Sequence, residues 1–398
     1  MRYISADYIF PISSEPVKNW VIAVDEDGTI IGINTKSEIL NSKSEIEYYK
    51  GIICPGFVNA HCHLELSVMK DKIAEHTGMT GFIKDILKKR NDYSADEIDS
   101  AIVSAEAEMI KNGIVAVGDI CNNNSTFKQK AKGNLQYHSF IEIFNLNPDA
   151  AVDTFNKGKE LLSQIRNPKS EIRNSIVPHA PYTMSKELLV LINNYAKENK
   201  SIITIHNQES RGEAELFVSK SGVMYDAFIN IGINSDWLRH TKKNSLASTL
   251  PYLKDARKIL LVHNTYTSEK DFEFIKSEIS NLKSQIYFCT CPNANIYIEN
   301  KLPDYNLFIS QNALMTVGTD SLASNHSLSI LDELKTITKH FPEISLQTLL
   351  TWAAKNGADF FDFKSLGTLE KGKRPGLNLL QNINGTRITE DTTVTPLL

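Results

Sequence analysis

From about residue 53 onward, short apolar runs alternate with longer stretches of helical periodicity, and the pattern repeats eight times. The runs span 53–61, 114–120, 137–144, 175–179, 202–206, 259–263, 285–291 and 313–320. Strands that reach one another only through a helix pair in parallel, so eight such units predict an α/β protein built as a (β/α)8 TIM barrel. The helices carry their own punctuation. Ser94-Ala95-Asp96-Glu97 reads as a capping box, Ile98, Ile102, Ala105 and Met109 follow at helical spacing, and Gly113 closes the segment. A second helix is predicted after Ser185, with Leu188, Leu189, Ile192 and Tyr195 turned inward.

The two ends of the chain lack this alternation. Within residues 1–52, the runs 20–24 and 29–33 flank Asp25-Glu26-Asp27-Gly28, whose Asp-Gly pair suits a hairpin turn. After residue 362, the run Gly376-Leu377-Asn378-Leu379-Leu380 is again strand-like. The expected organisation is a barrel over 53–362, with 1–52 and 363–398 meeting in a small β-sandwich.

Charge excludes some partners. With a formal charge of -4 and a pI near 6.2, the chain offers no basic face for nucleic acid. No run of about 18 apolar residues is present to cross a membrane. Met1 to Phe10 lacks the cationic start and apolar centre of a signal peptide, which predicts a cytoplasmic protein acting on a small molecule. The five cysteines, without C-x-x-C spacing, are expected to be reduced thiols packed in strands. Cys289-Thr290-Cys291 offers two thiolates to a metal, but in an apolar strand packing is the expectation.

Barrel enzymes carry their chemistry at the C-terminal ends of the strands. Strand one ends in His61 and His63, strand four in His179, strand five in His206, strand six in His263 and strand eight in Asp320, so five of the ten histidines fall at such ends. His61 and His63 share one strand face while Cys62 points to the other. Neutral imidazoles converging with a carboxylate suit a divalent transition metal, with zinc the default and iron or manganese fitting the same donors. Such an ion lowers the pKa of water from 15.7 toward about 7. Strand four ends in His179 rather than in a lysine able to bridge two metals, which predicts one ion. Of the remaining histidines, His138 lies within strand three, and His76, His240, His326 and His340 fall in loops or helices; only His76 and His240 are expected near the mouth.

Glu209 stands three residues beyond His206. A carboxyl desolvated in a barrel mouth has a raised pKa and can hand a proton to a substrate nitrogen near neutral pH. Asp320, in Gly318-Thr319-Asp320-Ser321, adds negative charge to the donor set and an acceptor for water.

These motifs resemble the deaminase and chlorohydrolase branch of the amidohydrolase superfamily. The resemblance rests on Pro55-Gly56-Phe57 through His63, Pro178-His179-Ala180-Pro181-Tyr182-Thr183, His206-x-x-Glu209, His263, Cys291-Pro292-Asn293-Ala294-Asn295, and Gly318-Thr319-Asp320 running to Ser324-Asn325. It implies that His61, His63, His206 and Asp320 hold one zinc or iron ion, that His263 and Asp320 orient and deprotonate water, and that Glu209 moves a proton to a ring nitrogen. By the same resemblance His179 and Ser324 contact substrate, with Glu65 and Ser67 near the nucleoside. His63-Leu64-Glu65-Leu66-Ser67 and Glu209-Ser210-x-x-Glu213 are similar to the aminodeoxyfutalosine deaminases of menaquinone synthesis; Pro178 to Tyr182 is similar also to adenosine and S-adenosylhomocysteine deaminases. The expected reaction is hydrolytic loss of the 6-amino group of an adenine nucleoside. Aminodeoxyfutalosine is placed ahead of adenosine, S-adenosylhomocysteine and methylthioadenosine, and then of guanine, triazine or cyclic-amide substrates. A non-catalytic metal-binding barrel would lack Glu209, His263 or Asp320, and all three are present. Arg211, Arg239, Lys242 and Lys243 are candidates for a substrate carboxylate. A homo-oligomer is common in such barrels, though no interface is read here. The chain departs from the family pattern at Lys373-Arg374-Pro375-Gly376-Leu377-Asn378, where an aspartate is usual.

Overall fold

The computed structural model describes residues 1–40, 45–165, 173–278 and 284–398. The chain opens with β1 (Arg2–Ile9), β2 (Trp20–Val24), β3 (Ile30–Thr35) and β4 (Glu47–Pro55). Eight strands follow, alternating with helices: β5 (Phe57–Cys62), β6 (Ile114–Cys121), β7 (Gln136–Ile143), β8 (Arg173–Pro178), β9 (Ile202–Asn207), β10 (Lys258–His263), β11 (Gln285–Thr290) and β12 (Met315–Val317). β13 (Leu377–Gln381) and β14 (Thr393–Pro396) end it. The two chain ends share one six-stranded sheet in the order β14-β13-β4-β1-β2-β3, in which β13 runs antiparallel to β4 from Leu377↔Pro55 to Leu380↔Ile52.

β5 to β8 form one four-stranded parallel arc and β9 to β12 another. The arcs meet at two seams. On one side the amides of Thr319 and Asp320 both donate to the His61 carbonyl at 3.1 Å; on the other, the His206 amide donates to the His179 carbonyl at 2.9 Å. These contacts close the barrel.

The predicted first strand, 53–61, is divided between two sheets. Ile53 to Pro55 pair with β1 and β13, and the barrel strand starts at Phe57. The switch lies at Gly56, where a Cβ would sit 2.7 Å from the Pro375 carbonyl oxygen and also strike Val115. The last strand shrinks from 313–320 to Met315–Val317 because, after a last bond from the Gly318 amide to the Thr290 carbonyl, Thr319 and Asp320 leave the ladder for the seam. Gly318 is forced by that approach. A Cβ there would lie 2.8 Å from both the His61 Cβ and its carbonyl oxygen. Gly318→Ala should therefore destabilise the fold by about 1–3 kcal/mol through overpacking. A thermal-unfolding midpoint equal to that of the wild type would show that the seam has room.

The barrel interior is filled from below. Phe360, Phe361 and Phe363 pack with Val58, Ala60, Phe140, Leu260 and Val262, while Ile259 and Leu261 turn outward onto the helices. The predicted capping box forms, with the Ser94 hydroxyl accepting from the Glu97 amide, and the helix Ala95–Lys111 buries Ile102, Ala105 and Met109. In the helix Lys186–Asn199 the buried stripe is Leu188, Leu189, Ile192 and Ala196, with Tyr195 at its half-buried margin. All five cysteines are buried free thiols. Among the described residues, no helix is long and apolar enough to cross a membrane.

Candidate active site

Backbone irregularities aim the side chains into the mouth. Val58 and Ala60 face the barrel interior, but the β5/β6 register shifts between Asn59 and Cys62, which reverses the parity. Past the shift, His61 and His63 face inward while Cys62 and Leu64 pack outward. On β10, alternation would send His263 outward with Leu261. Its left-handed backbone, φ 71°, turns it into the mouth instead. Gln208 (φ 47°) and Asp320 (φ 57°) share that conformation, which costs non-glycine residues roughly 1–3 kcal/mol each.

The donors converge. His61 Nε2 and His63 Nε2 are 3.2 Å apart, and Asp320 Oδ1 lies 3.7 and 3.5 Å from them. The ligand atoms of His61, His63 and Asp320 fall within 4.8 Å of one another, as do those of His61, His206 and His263. Second partners fix the tautomers. His206 Nδ1 donates to the His179 carbonyl at 2.8 Å, and His263 Nδ1 to Asn295 Oδ1 at 2.8 Å, leaving both Nε2 lone pairs free. Burial pushes His63 down to about 3 and His263 to about 4, and holds His206 well below the usual imidazole range, so these rings are neutral. Burial alone would raise the Asp320 carboxyl, but His61 and the other surrounding imidazoles hold it well below the usual range. Ser324 Oγ donates to Asp320 Oδ2 at 2.5 Å. Facing neutral nitrogens around an ionised carboxylate are what a divalent ion requires.

Glu209 stands beside this cluster, with Oε1 3.4 Å from His263 Nε2. Burial, with the negative charges of Asp320, Glu213 and Glu299, raises its carboxyl well above the carboxylate range. Glu213 braces the turn, its two oxygens accepting from the Gln208 and Glu209 amides at 3.1 Å each.

The cavity above measures about 440 Å³. His63, Glu65, His179, His206, Glu209, His263 and Asp320 line its floor. Glu65 accepts from the Asn122 and Asn123 amides, and burial pushes it up to about 8. His179 Nδ1 donates to the Thr183 hydroxyl, which itself donates to the Ala180 carbonyl. Ser67 and Ser324 lie outside the lining; the Ser67 hydroxyl donates to the Leu64 carbonyl at 2.7 Å. Arg211, Arg239, Lys242 and Lys243 do not line the cavity either, and Arg211 pairs with Glu215 on the surface. Nor do His76 and His240.

A profile of the amidohydrolase family matches residues 52–394. The chain belongs to the amidohydrolase family. It is 24% identical over 370 residues to an adenosine deaminase of Helicobacter pylori, covering 92% of this chain and 88% of that protein. In structure it resembles H. pylori aminofutalosine deaminase, solved in complex with methylthio-coformycin, at a TM-score of 0.80 and 23% identity over 98% of this chain and 94% of that one. An adenosine deaminase of Xanthomonas campestris, solved with bound zinc, matches at a TM-score of 0.72 and 19% identity, over 95% and 84% of the two chains. This amidohydrolase is a hydrolase acting on carbon–nitrogen bonds.

Two features of its cavity escape the sequence analysis. Glu142, near the end of β7, lines the floor, lies 3.7 Å from His206 Nδ1 and is pushed by burial up to about 7; its signal is a carboxylate in an apolar strand. The outer wall is apolar. Met79, Phe82, Ile83 and Ile86 of the helix Gly78–Lys89 face Phe228, Ile233 and Trp237, with Arg90 at the rim. That helical stripe is visible in the sequence, but only the fold shows that it covers the mouth.

Proposed function

We propose that this amidohydrolase is a metal-dependent hydrolytic deaminase that removes the 6-amino group of an adenine nucleoside as ammonia. One observation carries the reading: Glu209, held in its acid form by burial, sits 3.4 Å from His263 beside the converged donors. His61, His63, His206 and Asp320 would hold the ion, which when bound supplies Lewis-acid activation of water. Asp320 and His263 accept hydrogen bonds from the water that adds to the ring carbon bearing the amino group, and Asp320 takes its proton. Glu209 donates a proton to the adjacent ring nitrogen, Asp320 passes the water's proton to the departing amine, and Glu209 recovers a proton from the hydroxyl as the carbon–oxygen double bond forms. The balance is one water consumed and one ammonia released.

Within adenine nucleosides, aminodeoxyfutalosine is placed first and S-adenosylhomocysteine, methylthioadenosine and adenosine after it. Support comes from the outer wall, which offers Phe82, Ile83 and Phe228 to an apolar 5′ substituent. Phosphates find little there. Among the described lining residues Arg90 is the only cation outside the histidines, and Asp320 is an ionised carboxylate. Phe82→Ala should therefore raise KM for a thioether or aryl-substituted nucleoside by about tenfold, equivalent to about 1.4 kcal/mol of lost burial, and change adenosine little. Equal effects on both substrates would remove the wall from substrate selection. The reaction itself is tested by ammonia release from zinc-loaded protein given adenosine, S-adenosylhomocysteine, methylthioadenosine, aminodeoxyfutalosine, guanine and cytosine. Silence on all four adenine compounds with metal bound would sink the proposal.

A further inference from the structure

Behind the donor cluster lies a charged pair that the chemistry above does not use. Asp119, near the end of β6, and Lys130, at the end of the helix Phe127–Lys130, are in contact, and the side chains of both are 0% exposed. A buried ion pair is a weak source of stability, since apolar replacements of similar volume are often as stable or more so. Its satisfaction is nonetheless complete on the lysine side. The three ammonium protons have three acceptors: Asp119 Oδ2, Cys121 Sγ at 3.0 Å and Ser139 Oγ at 3.0 Å. The Tyr137 ring lies 5.3 Å away. Burial pushes the Cys121 thiol up to about 12, so it stays neutral and serves as an acceptor.

The other end of the network points at the metal-facing loop. Asp119 Oδ1 accepts from the Leu64 amide at 2.8 Å, and Asp119 pairs in register with Cys62. Leu64 is the first residue of the 3-10 helix Leu64–Met69, whose preceding residue, His63, makes no capping bond with its side chain. The amide that a local cap would satisfy is therefore held from another strand. It belongs to the peptide that joins His63 to Leu64. Asp119 thus abuts both sides of His63, the residue whose Nε2 faces His61 and Asp320.

We propose that Lys130 and Asp119 are positioning residues: Lys130 fixes the Asp119 carboxylate, and Asp119 fixes the backbone that presents His63 to the ion. The proposal rests on the metal reading of His61, His63, His206 and Asp320. The full chain is titrated with zinc against a chromophoric chelator, and the cobalt-substituted protein is followed by its visible absorption. Lys130→Met should weaken zinc binding by about tenfold or more and alter the cobalt spectrum. Phe308→Leu, a core substitution away from the network, should lower the unfolding midpoint and leave both readouts unchanged. A Lys130→Met protein that is less stable but binds zinc within twofold of wild type would overturn the proposal, leaving the pair a structural one. Should Lys130→Met not fold, Asp119→Asn keeps the shape and the acceptor for Leu64 but loses the charge. It is expected to weaken zinc severalfold, and an unchanged affinity would equally overturn the idea. A wild-type chain that takes up no zinc would instead overturn the metal reading, and this proposal with it.

Discussion

Glu209→Gln is expected to lower kcat for an adenine nucleoside by about 10²–10⁴-fold, the usual cost of losing a positioned proton donor. The amide keeps the size and hydrogen-bonding reach of the acid but has no transferable proton. Because the buried carboxyl is held protonated, the exchange of one neutral group for another leaves fold and zinc content intact. Loss of kcat with KM changed little would place the defect in the chemical step. A variant that keeps more than about a tenth of wild-type turnover would remove Glu209 from proton transfer, whatever its distance from His263.

Stripping the metal is expected to abolish turnover altogether, with recovery on adding zinc. The reason lies in the donor set. His63, His206 and His263 are neutral and Asp320 is ionised, so the cluster has lone pairs and negative charge without a proton to share among them. Removal should also lower the unfolding midpoint, because a ligand bound only by the native state stabilises it by mass action. Asp320→Asn refines the test, since asparagine tolerates the left-handed backbone at φ 57° while removing the charge. That variant should bind zinc more weakly yet fold normally. Ammonia release by protein shown free of metal would reject the metal-dependent mechanism.

Much of this was legible from residues alone. The eight-fold alternation predicts the barrel because parallel strands need crossovers, and strand ends collect the histidines because such barrels open there. The route by which three of them reach the mouth was hidden. His61 and His63 face inward through a register shift, and His263 through a positive φ, neither of which alternation reveals. Gly56 was hidden for a related reason: an apolar run shows burial, but not that its first residues belong to another sheet. Glu65, His179, Glu209 and Asp320 were found by their place in motifs and line the cavity. Ser67 and Ser324 have the same pedigree, but their hydroxyls are engaged by the Leu64 carbonyl and the Asp320 carboxylate. Hydroxyl groups are readily satisfied by nearby backbone, so their direction depends on local turns. The apolar wall was missed because amphipathic spacing locates a face without naming what it covers.

The two seams carry one further consequence. β5 to β8 and β9 to β12 are each continuous ladders, while few main-chain hydrogen bonds join them, and those at both seams involve His61, His179 or His206. His61 and His63 come from one half, His206 and Asp320 from the other. With the proposed ion held by these four, the centre would be a clasp across a natural parting line, drawing together a chain severed between the halves.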